Sequence, residues 1–486
     1  MAVMNPELKG TVASPGFKAE WWTPRLAGPV IAAAVVRLAL LAATLLRSGI
    51  GALIQGDTIS YLEPGRNLLL HGRFVAEGVP DLLRTPGYPL FLALTSLAGL
   101  PAAAVANVLL SVFSVILVWR LGRTVSDDPR VALGAAWIFA FEPISIVNSV
   151  VLLSETLFLA LFLLSLERLT AFLRGRRLPV LAVSGLWLAA ATLVRPVTYY
   201  LPVALAAGLF LVLARAHGLS PQRQKPIAWG LCWKAPVVLL ISILPWLAAW
   251  QIRNKIETGY GGLTSVSDVN LYFFVAPDVA ARAGHRDFTE VRDALGYGCG
   301  PGCGEQVYLY PRYVALHPEQ AQWSQGQRLA FMHSEAVRVI RAHEGVYLLA
   351  SLPHLFEAVF DPGAGAFNSL LNVGSSRQVD SLINYRNPVE GTIALAKAYP
   401  WIAIEKAIFE VVLLGMFLLA ARGILCGGIP GAYLGLLIGL SLYFFAVSSA
   451  AAGAGVTARY RLPVMPLVCI LAAAGLRPAQ ESARQG

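Results

Sequence analysis

The sequence predicts an all-α protein that crosses a membrane many times. Hydrophobic residues make up 56% of the 486-residue chain and charged residues only 14%, whereas soluble domains carry about 25% charged residues. Apolar stretches of the roughly 17–25 residues that a membrane helix needs recur along the whole chain. These two observations favour a polytopic membrane protein over a soluble one.

The apolar runs set the number of membrane helices, which we expect to be about ten to twelve from their lengths. Internal Gly and Pro do not exclude a run, because neighbouring helices can satisfy the backbone groups they free. Residues 88–99 are too short to cross and are expected to form a re-entrant or interfacial helix. The predicted spans are 27–46, 101–120, 131–147, 152–170, 178–194, 197–215, 232–251, 400–421, 430–449 and 460–476.

The basic residues predict the orientation of these spans. They concentrate in alternate short loops, at 120–130, 168–177 and 215–234, and short basic loops stay on the cytoplasmic side. The N-terminus is therefore expected inside. Residues 47–87 form a short first loop outside, with interfacial helices, and residues 253–399 form a long outside segment after the seventh span.

The N-terminal residues and the net charge add little beyond this topology. Residues 1–25 are mixed polar, and no A-x-A-like site follows a short apolar region, so we expect no cleavable signal peptide. The formal net charge of +10 is scattered over short loops, which favours topology signals over a nucleic-acid partner. We find no internal repeat, and we expect residues 1–486 to form a single membrane domain.

Within the long outside segment, residues 331–360 could hide a further span. Four ionisable residues make a place at the bilayer centre costly, and an amphipathic helix along the outer surface is favoured instead. A crossing helix here would need a partner span within residues 361–399. The four residues are His343, Glu344, His354 and Glu357.

The five cysteines allow one disulfide. Cys299 and Cys303 stand in the short turn "GYGCGPGCGEQ" of the outside segment. If this segment faces an oxidising compartment, a disulfide is favoured over free thiols. A metal site would need further ligands, and none stands at a suitable spacing nearby. Cys232, Cys426 and Cys469 lie in or beside apolar runs and are interpreted as buried thiols.

Two carboxylates are expected on the outside face. Asp57 opens "DTISYL" and could simply cap a short helix. Glu155 follows Ser154 in "SETLF", where an acidic residue in a first helical turn is favoured by the helix dipole. Capping explains each residue alone. It does not explain why two distant carboxylates should meet on one face, and this favours a chemical role.

Three arginine positions share that face: Arg84 in "LLRTPGYP", Arg195 in "LVRP", and Arg459 with Arg461 in "ARYRLP". Single arginines there could extend toward lipid headgroups. Three separate positions are better explained by a pocket for an anionic group such as a phosphate, which the planar guanidinium fork suits.

Known motifs narrow the function. No Walker loop, dinucleotide-binding G-x-G-x-x-G, H-E-x-x-H or G-x-S-x-G occurs in its required context. An enzyme of this kind would need an activated substrate. A transporter or flippase of lipid-linked sugars is the main alternative, but it should place ionisable residues or broken helices near the bilayer midplane. A non-catalytic scaffold would leave the polar face unexplained.

Several segments resemble the GT-C clan of membrane glycosyltransferases, which includes protein O-mannosyltransferases, aminoarabinose transferases acting on lipid A, and galacturonosyltransferases. The resemblance covers most of residues 27–476 and follows the order of the clan. It is carried by "GDTISYLEPGRNLLLHGRF", "LLRTPGYPLFLAL", "EPISIVNSVVLLSETLF", "GLWLAAATLVRPVTYYLP", "PWLAAWQIRNKIETG" and "ARYRLPVMPLVCILAAAGL".

The resemblance implies a GT-C-like fold and inverting transfer of a sugar. The donor would be a polyprenyl-phosphate sugar, and the acceptor a glycolipid, a polysaccharide or a protein. Asp57 matches the first-loop aspartate, a candidate general base or metal contact, and Glu155 matches the acid that opens the fourth span. Arg84 matches the arginine of an R-x-P-G-Y-P-like element, and Arg195 and Arg459 match basic positions associated with the donor phosphate. All three are expected to bind that phosphate. Tyr61, Tyr88 and Tyr460 are expected substrate contacts.

The resemblance also implies a place and a pathway. The active site would face the periplasm from the bacterial inner membrane, in lipopolysaccharide or cell-envelope glycan synthesis. Relatives often carry two adjacent acids in the first loop, whereas Thr58 follows Asp57 here and Pro64 is expected to interrupt the loop helix. No residue is therefore assigned as a metal ligand, and the need for a divalent cation stays open.

Overall fold

The computed structural model confirms the all-α class. It describes residues 22–218, 228–298, 311–372, 388–426, 428–452 and 457–477. Within these ranges the one sheet is a hairpin of two-residue strands, β1 (Val75–Ala76) and β2 (Val79–Pro80). Cys299 and Cys303 lie outside the described residues, so the disulfide stays a prediction.

A 3-10 turn, Pro196–Thr198, precedes the helix that begins at Leu201. In the first half of the chain, ten α-helices lie within the described residues up to 258. They are α1 (Ala27–Arg47), α2 (Gly56–His71), α3 (Gly87–Thr95), α4 (Leu100–Val125), α5 (Pro129–Ala140), α6 (Pro143–Val150), α7 (Glu155–Gly175), α8 (Leu178–Val194), α9 (Leu201–Gly218) and α10 (Trp229–Thr258).

The second half begins with short helices and ends with long ones. A five-residue π-helix, Leu271–Val275, joins α11 to α12, and a 3-10 turn, Ala458–Arg461, precedes α21. The helices are α11 (Val266–Asn270), α12 (Ala276–Ala283), α13 (Phe288–Ala294), α14 (Pro311–Leu316), α15 (Gln325–Ala342), α16 (Glu344–Phe360), α17 (Ala364–Leu370), α18 (Pro388–Ala398), α19 (Pro400–Cys426), α20 (Gly431–Ala452) and α21 (Met465–Gly475).

All ten predicted spans coincide with helices, but not all are long enough to cross alone. Seven described helices are long and apolar enough to cross a membrane, and α5 with α6 adds an eighth as a bent pair. The expected spans 178–194 and 460–476 are helices of 17 and 11 residues. The last one is shortened because Ala458–Arg461 forms a 3-10 turn.

Two buried charged residues, Glu142 and Arg37, lie at the bend of this pair. α5 and α6 meet at 54°, and Glu142 at the break accepts hydrogen bonds from the backbone N–H groups of Ile144 and Ser145. Arg37, half-way along α1 and fully buried, donates to Ser111 Oγ (2.7 Å) and to the Ala140 carbonyl (2.8 Å). A buried arginine needs such partners to offset the loss of its hydration.

α4 lies at the centre of the N-terminal half, where it packs against α1, α5, α6 and α7. The C-terminal helix α21 packs between α5 and α19 and is almost completely buried. α8 lies between α7 and α10. These contacts bring the start of α7, the end of α8 and the turn before α21 to one end of the bundle.

The first loop folds over that same end. α2 runs without interruption through Pro64, so the expected break there is wrong. Gly65 explains how α2 stays in place: a Cβ at this position would collide with the Pro89 carbonyl of α3. Arg253 of α10 holds the loop from the other side by donating to the Phe74 (2.6 Å) and Asp81 (3.0 Å) carbonyls.

The outside segment differs from the single interfacial helix expected over 331–360. It forms two helices, α15 and α16, because the chain breaks at His343. α16 packs along α20, where its Ala358 is buried against Phe445 and Tyr460. The Phe360 ring lies 6.2 Å from the ring of Phe417 in α19. The end of α16 therefore reaches in among the long apolar helices.

Asp81, whose carbonyl accepts a hydrogen bond from Arg253, should lower the free energy of unfolding at neutral pH. Burial raises its pKa to about 6, and one carboxylate oxygen has no hydrogen-bond partner. A raised folded-state pKa means that stability falls as pH rises from about 4 to 6 and stays low above. Asp81→Asn should therefore raise the free energy of unfolding at pH 7.5 by about 1–3 kcal/mol and have little effect at pH 4.

Thermal unfolding of the detergent-solubilised protein at both pH values would check this. Asp287→Asn is a matched control, because the Asp287 carboxylate caps α13 and is exposed to solvent. An equal effect of Asp81→Asn at both pH values would contradict the expected ionisation.

Candidate functional site

Asp57 stands between two arginines that come from opposite ends of the chain. Its Oδ1 accepts a hydrogen bond from Arg84 Nη2 at 2.9 Å, and its Oδ2 accepts one from Arg459 Nη1 at 2.8 Å. Arg84 also donates through Nε to Ser60 Oγ at 2.7 Å. Both carboxylate oxygens of Asp57 are thus engaged by charge-assisted bonds, the strong class of hydrogen bond.

Asp57 does not cap its helix, so capping alone does not account for it. Gln55 occupies the N-cap position, and its backbone N–H donates to Thr58 Oγ1 at 2.9 Å. The Thr58 hydroxyl in turn donates to the Leu152 carbonyl at 2.9 Å. This contact ties the first turn of α2 to the segment before α7 and brings Asp57 toward Glu155.

Glu155 opens α7 and is almost fully buried. Its Oε1 lies 2.5 Å from Arg195 Nη1 and 3.8 Å from Arg459 Nη1. Its Oε2 has no hydrogen-bond partner among the described residues. Ser154 takes the N-cap position, but its hydroxyl accepts from Arg195 Nη1 at 3.1 Å instead of capping the helix. Arg459 therefore links the two carboxylates.

The three tyrosines expected at the site surround this cluster. The Arg84 guanidinium stacks 4.5 Å from the centre of the Tyr61 ring, and the Tyr61 hydroxyl lies 3.3 Å from Ser154 Oγ. Tyr88 packs edge-on against Tyr61 with the ring centres 4.8 Å apart. Arg459 lies 5.4 Å from the centre of the Tyr460 ring. The rings form apolar walls around the charges.

The charges set the protonation states. Burial alone would raise the pKa of Asp57, but the positive charges and hydrogen bonds of Arg84 and Arg459 together hold this pKa well below its usual range. Burial raises the pKa of the Tyr61 hydroxyl. Asp57 is therefore a carboxylate, and Tyr61 a neutral phenol, throughout the physiological pH range.

A cavity of about 10 Å³ lies beside Glu155, which is room for roughly one water molecule. It is bounded by the start of α7, the residues after α8, the end of α20 and the turn before α21. Its lining residues are Glu155, Phe158, Arg195, Val197, Ser448, Arg459, Tyr460, Leu462 and Pro463. A ligand larger than a water molecule must therefore displace some of the side chains that line this cavity.

The five charged groups have formal charges of +3 and −2, which leaves a surplus of +1. Such a site suits an anion that could replace one carboxylate contact of each arginine. Among the described residues, no three His, Cys, Asp or Glu side chains converge as metal ligands would. Asp57 and Glu155 are the carboxylates that face this site.

The structure brings all eight non-cysteine site residues of the sequence analysis to one place. Arg461, next to Arg459, points elsewhere and donates to the Val359 carbonyl of α16 at 2.8 Å. Sequence analysis missed Ser60, which binds Arg84, and Phe158 and Ser448, which line the cavity. Ser60 lies three residues after Asp57, one helical turn away, and this spacing could have indicated it.

No family model matches the chain, and no curated protein matches it. Among solved structures, it is similar to the archaeal oligosaccharyltransferase AglB from Archaeoglobus fulgidus, determined in complex with an inhibitory peptide and a dolichol-phosphate. The TM-score is 0.43 at 12% identity, and the match covers 92% of this chain and 50% of that chain. The chain thus spans about half the length of that protein.

The Arg195–Glu155 pair gives a test of this arrangement. Arg195→Met leaves a buried carboxylate without its nearest cation, which should lower the free energy of unfolding by about 3 kcal/mol. Adding Glu155→Gln should recover most of the loss, because the uncompensated charge is gone. Thermal or denaturant unfolding of the single and double variants would measure both effects.

Arg286→Met is the control, since Arg286 forms an exposed pair with Glu290, and exposed pairs contribute about 0–1 kcal/mol. Additive losses for Arg195→Met and Glu155→Gln would contradict the pairing.

Proposed function

We propose that this protein is a membrane glycosyltransferase of the GT-C clan, which transfers a sugar from a polyprenyl-phosphate donor to an acceptor with inversion. The observation that carries the proposal is the meeting of Arg84, Arg195 and Arg459 with Asp57 and Glu155 at one end of the apolar helices. The guanidinium groups supply the cations that a leaving phosphate requires.

In the proposed reaction, an acceptor oxygen forms a bond to the anomeric carbon as the bond from that carbon to the phosphate oxygen breaks. The phosphate leaves with the electron pair, and Arg84, Arg195 and Arg459 stabilise its charge. The acceptor proton passes to a carboxylate on the opposite face of the sugar. Every atom and charge is then accounted for without a further reactant.

Asp57 is the carboxylate that we assign to the acceptor. Its side chain is 32% exposed, whereas that of Glu155 is 4% exposed, so Asp57 is the one that an acceptor can reach. Glu155 then serves to hold Arg195 and Arg459 in place. Asp57 is a weak base while two arginines bind it, because their charges lower its pKa.

Donor binding should strengthen this base. A phosphate that binds Arg84 and Arg459 shares their positive charge, which otherwise acts on Asp57 alone. The pKa of Asp57 then rises toward its usual value just when the acceptor must lose its proton. The small size of the cavity beside Glu155 fits this order of events, because a donor phosphate that binds there would displace arginine–carboxylate contacts.

We further propose that the site faces the periplasm, that the protein resides in the bacterial inner membrane, and that its product is a cell-envelope glycan or lipopolysaccharide. The basic alternate loops support this orientation. Acceptor choice is assigned to the outside segment, residues 253–399, whose helix α16 packs against the turn that carries Arg459.

A transporter or flippase of lipid-linked sugars is the second candidate. The bend between α5 and α6 and the buried Arg37 and Glu142 favour it, because transporters place broken helices and charges deep in the membrane. Those charges, however, are occupied by hydrogen bonds to Ser111, Ser145 and backbone groups. Movement of a labelled lipid-linked sugar across sealed vesicles, without acceptor, would favour transport.

The proposal predicts that Asp57→Asn and Arg459→Ala each lower sugar transfer at least about 100-fold. The first removes the base, and the second removes a cation from the leaving phosphate. Transfer from a labelled polyprenyl-phosphate sugar would be measured in membranes with equal amounts of each variant. Arg286→Ala, an exposed arginine of the outside segment, should keep full activity. Wild-type transfer by Asp57→Asn would exclude it as the base.

The pH dependence tests activation of the base by the donor. The acidic limb of kcat/KM reports the free enzyme and that of kcat reports the donor complex. Because Arg84 and Arg459 lower the pKa of Asp57 in the free protein, the kcat limb should lie at higher pH than the kcat/KM limb. If the acidic limbs of kcat and kcat/KM fell at the same pH, the donor would not share Arg84 and Arg459 with Asp57.

A further inference from the structure

We propose that Asp361 and Arg461 are positioning residues that hold Arg459 in its phosphate-binding place by tying its turn to the end of α16. The inference rests on the proposed function of Arg459. It assigns a role to the junction between the long outside segment and the site, which neither the motifs nor the charged cluster explains. The hydrogen bonds of Asp361 and Arg461 described below go to residues outside that cluster.

Asp361 fixes the start of the turn that carries Arg459. Its Oδ2 accepts a hydrogen bond from the Ala458 backbone N–H at 2.9 Å, and its Oδ1 accepts one from the Gly363 N–H at 3.0 Å. The carboxylate thus bridges two chain segments nearly one hundred residues apart. Ala458 directly precedes Arg459, so a shift of its N–H moves the Arg459 backbone.

Arg461 fixes the other end of the same turn. Its Nη1 donates to the carbonyls of Ala358 (3.3 Å) and Val359 (2.8 Å) in the last turn of α16. A helix C-terminus is a favourable place for a cation. Arg461 is 1% exposed, and Glu142 and Asp361 are the acidic groups that face it. The hydrogen bonds to α16 therefore fix the position of the Arg461 guanidinium group.

The junction has little room to shift. Gly363 has a φ of +75°, and a Cβ there would collide with the Ile144 side chain. Tyr460, between the two arginines, packs on the buried Ala358. Ala458, Tyr460 and Arg461 are thus each held by α16 or its end. Arg459 is the residue of this turn that points away from α16, toward Asp57.

The arrangement predicts an effect on phosphate binding that passes through Arg459. Asp361→Asn keeps the size of the side chain but turns an amide donor toward one of two N–H groups. We expect it to weaken the binding of undecaprenyl phosphate, without sugar, about tenfold. Arg461→Lys keeps the charge but loses the fork and should act in the same direction. Equilibrium binding to the full-length protein in detergent would be measured.

The matched control is Glu357→Gln. Glu357 lies in the last turn of α16, four residues before the C-cap Asp361, and the exchange of a carboxylate for an amide is the same. Affinity within twofold of wild type is expected. The decisive comparison is Asp361→Asn combined with Arg459→Ala. If Asp361 acts through Arg459, the double variant should bind no more weakly than Arg459→Ala alone.

The outcomes separate the inference from the function on which it rests. Weaker binding by Arg459→Ala, with unchanged binding by Asp361→Asn and Arg461→Lys or with additive losses in the double variant, overturns the inference alone. Unchanged binding by Arg459→Ala overturns the phosphate role and the inference together. If Asp361→Asn does not fold, as judged by its elution profile and unfolding temperature, Arg461→Lys with its own Arg459→Ala double variant decides in the same way.

Discussion

Three guanidinium groups can share one end of this helix bundle only because two carboxylates stand between them. Asp57 separates Arg84 from Arg459, and Glu155 separates Arg459 from Arg195. Like charges at such distances repel strongly where water is excluded. The alternation of signs stabilises the cluster in the absence of a ligand and still leaves a surplus of positive charge.

This constraint explains features of the fold that otherwise look unrelated. α2 must lie against the start of α7, and the Thr58–Leu152 contact and the close approach at Gly65 hold it there. The turn before α21 must reach across to Asp57, which shortens the last helix. Five residues from separate parts of the chain therefore have to be placed within 4 Å of their neighbours in the cluster, and the bundle around α4 does this.

The sequence predicted the charged part of the site because charge is conspicuous in an apolar chain. Topology placed Asp57, Glu155 and the arginines on one face, and tertiary packing then brought them together. Ser448 could not be predicted in this way, since a small hydroxyl does not stand out from its neighbours, and Ser60 was indicated only by its helical spacing from Asp57. A break at Pro64 was expected because a proline removes a backbone hydrogen bond, but α2 continues through it. The break at His343 was missed because periodicity alone does not fix where a helix ends.

The separation of Asp57 and Arg459 by 402 residues has a consequence for biogenesis. The chain emerges from the ribosome in order, so Asp57 and Arg84 enter the membrane long before Arg459 exists. During that time Glu155 and Arg195 can pair with each other, but Asp57 lacks one of its two partners. The site is completed only by the turn before α21, and a chain that ended before Arg459 would keep an Asp57 carboxylate with one of its two cations missing.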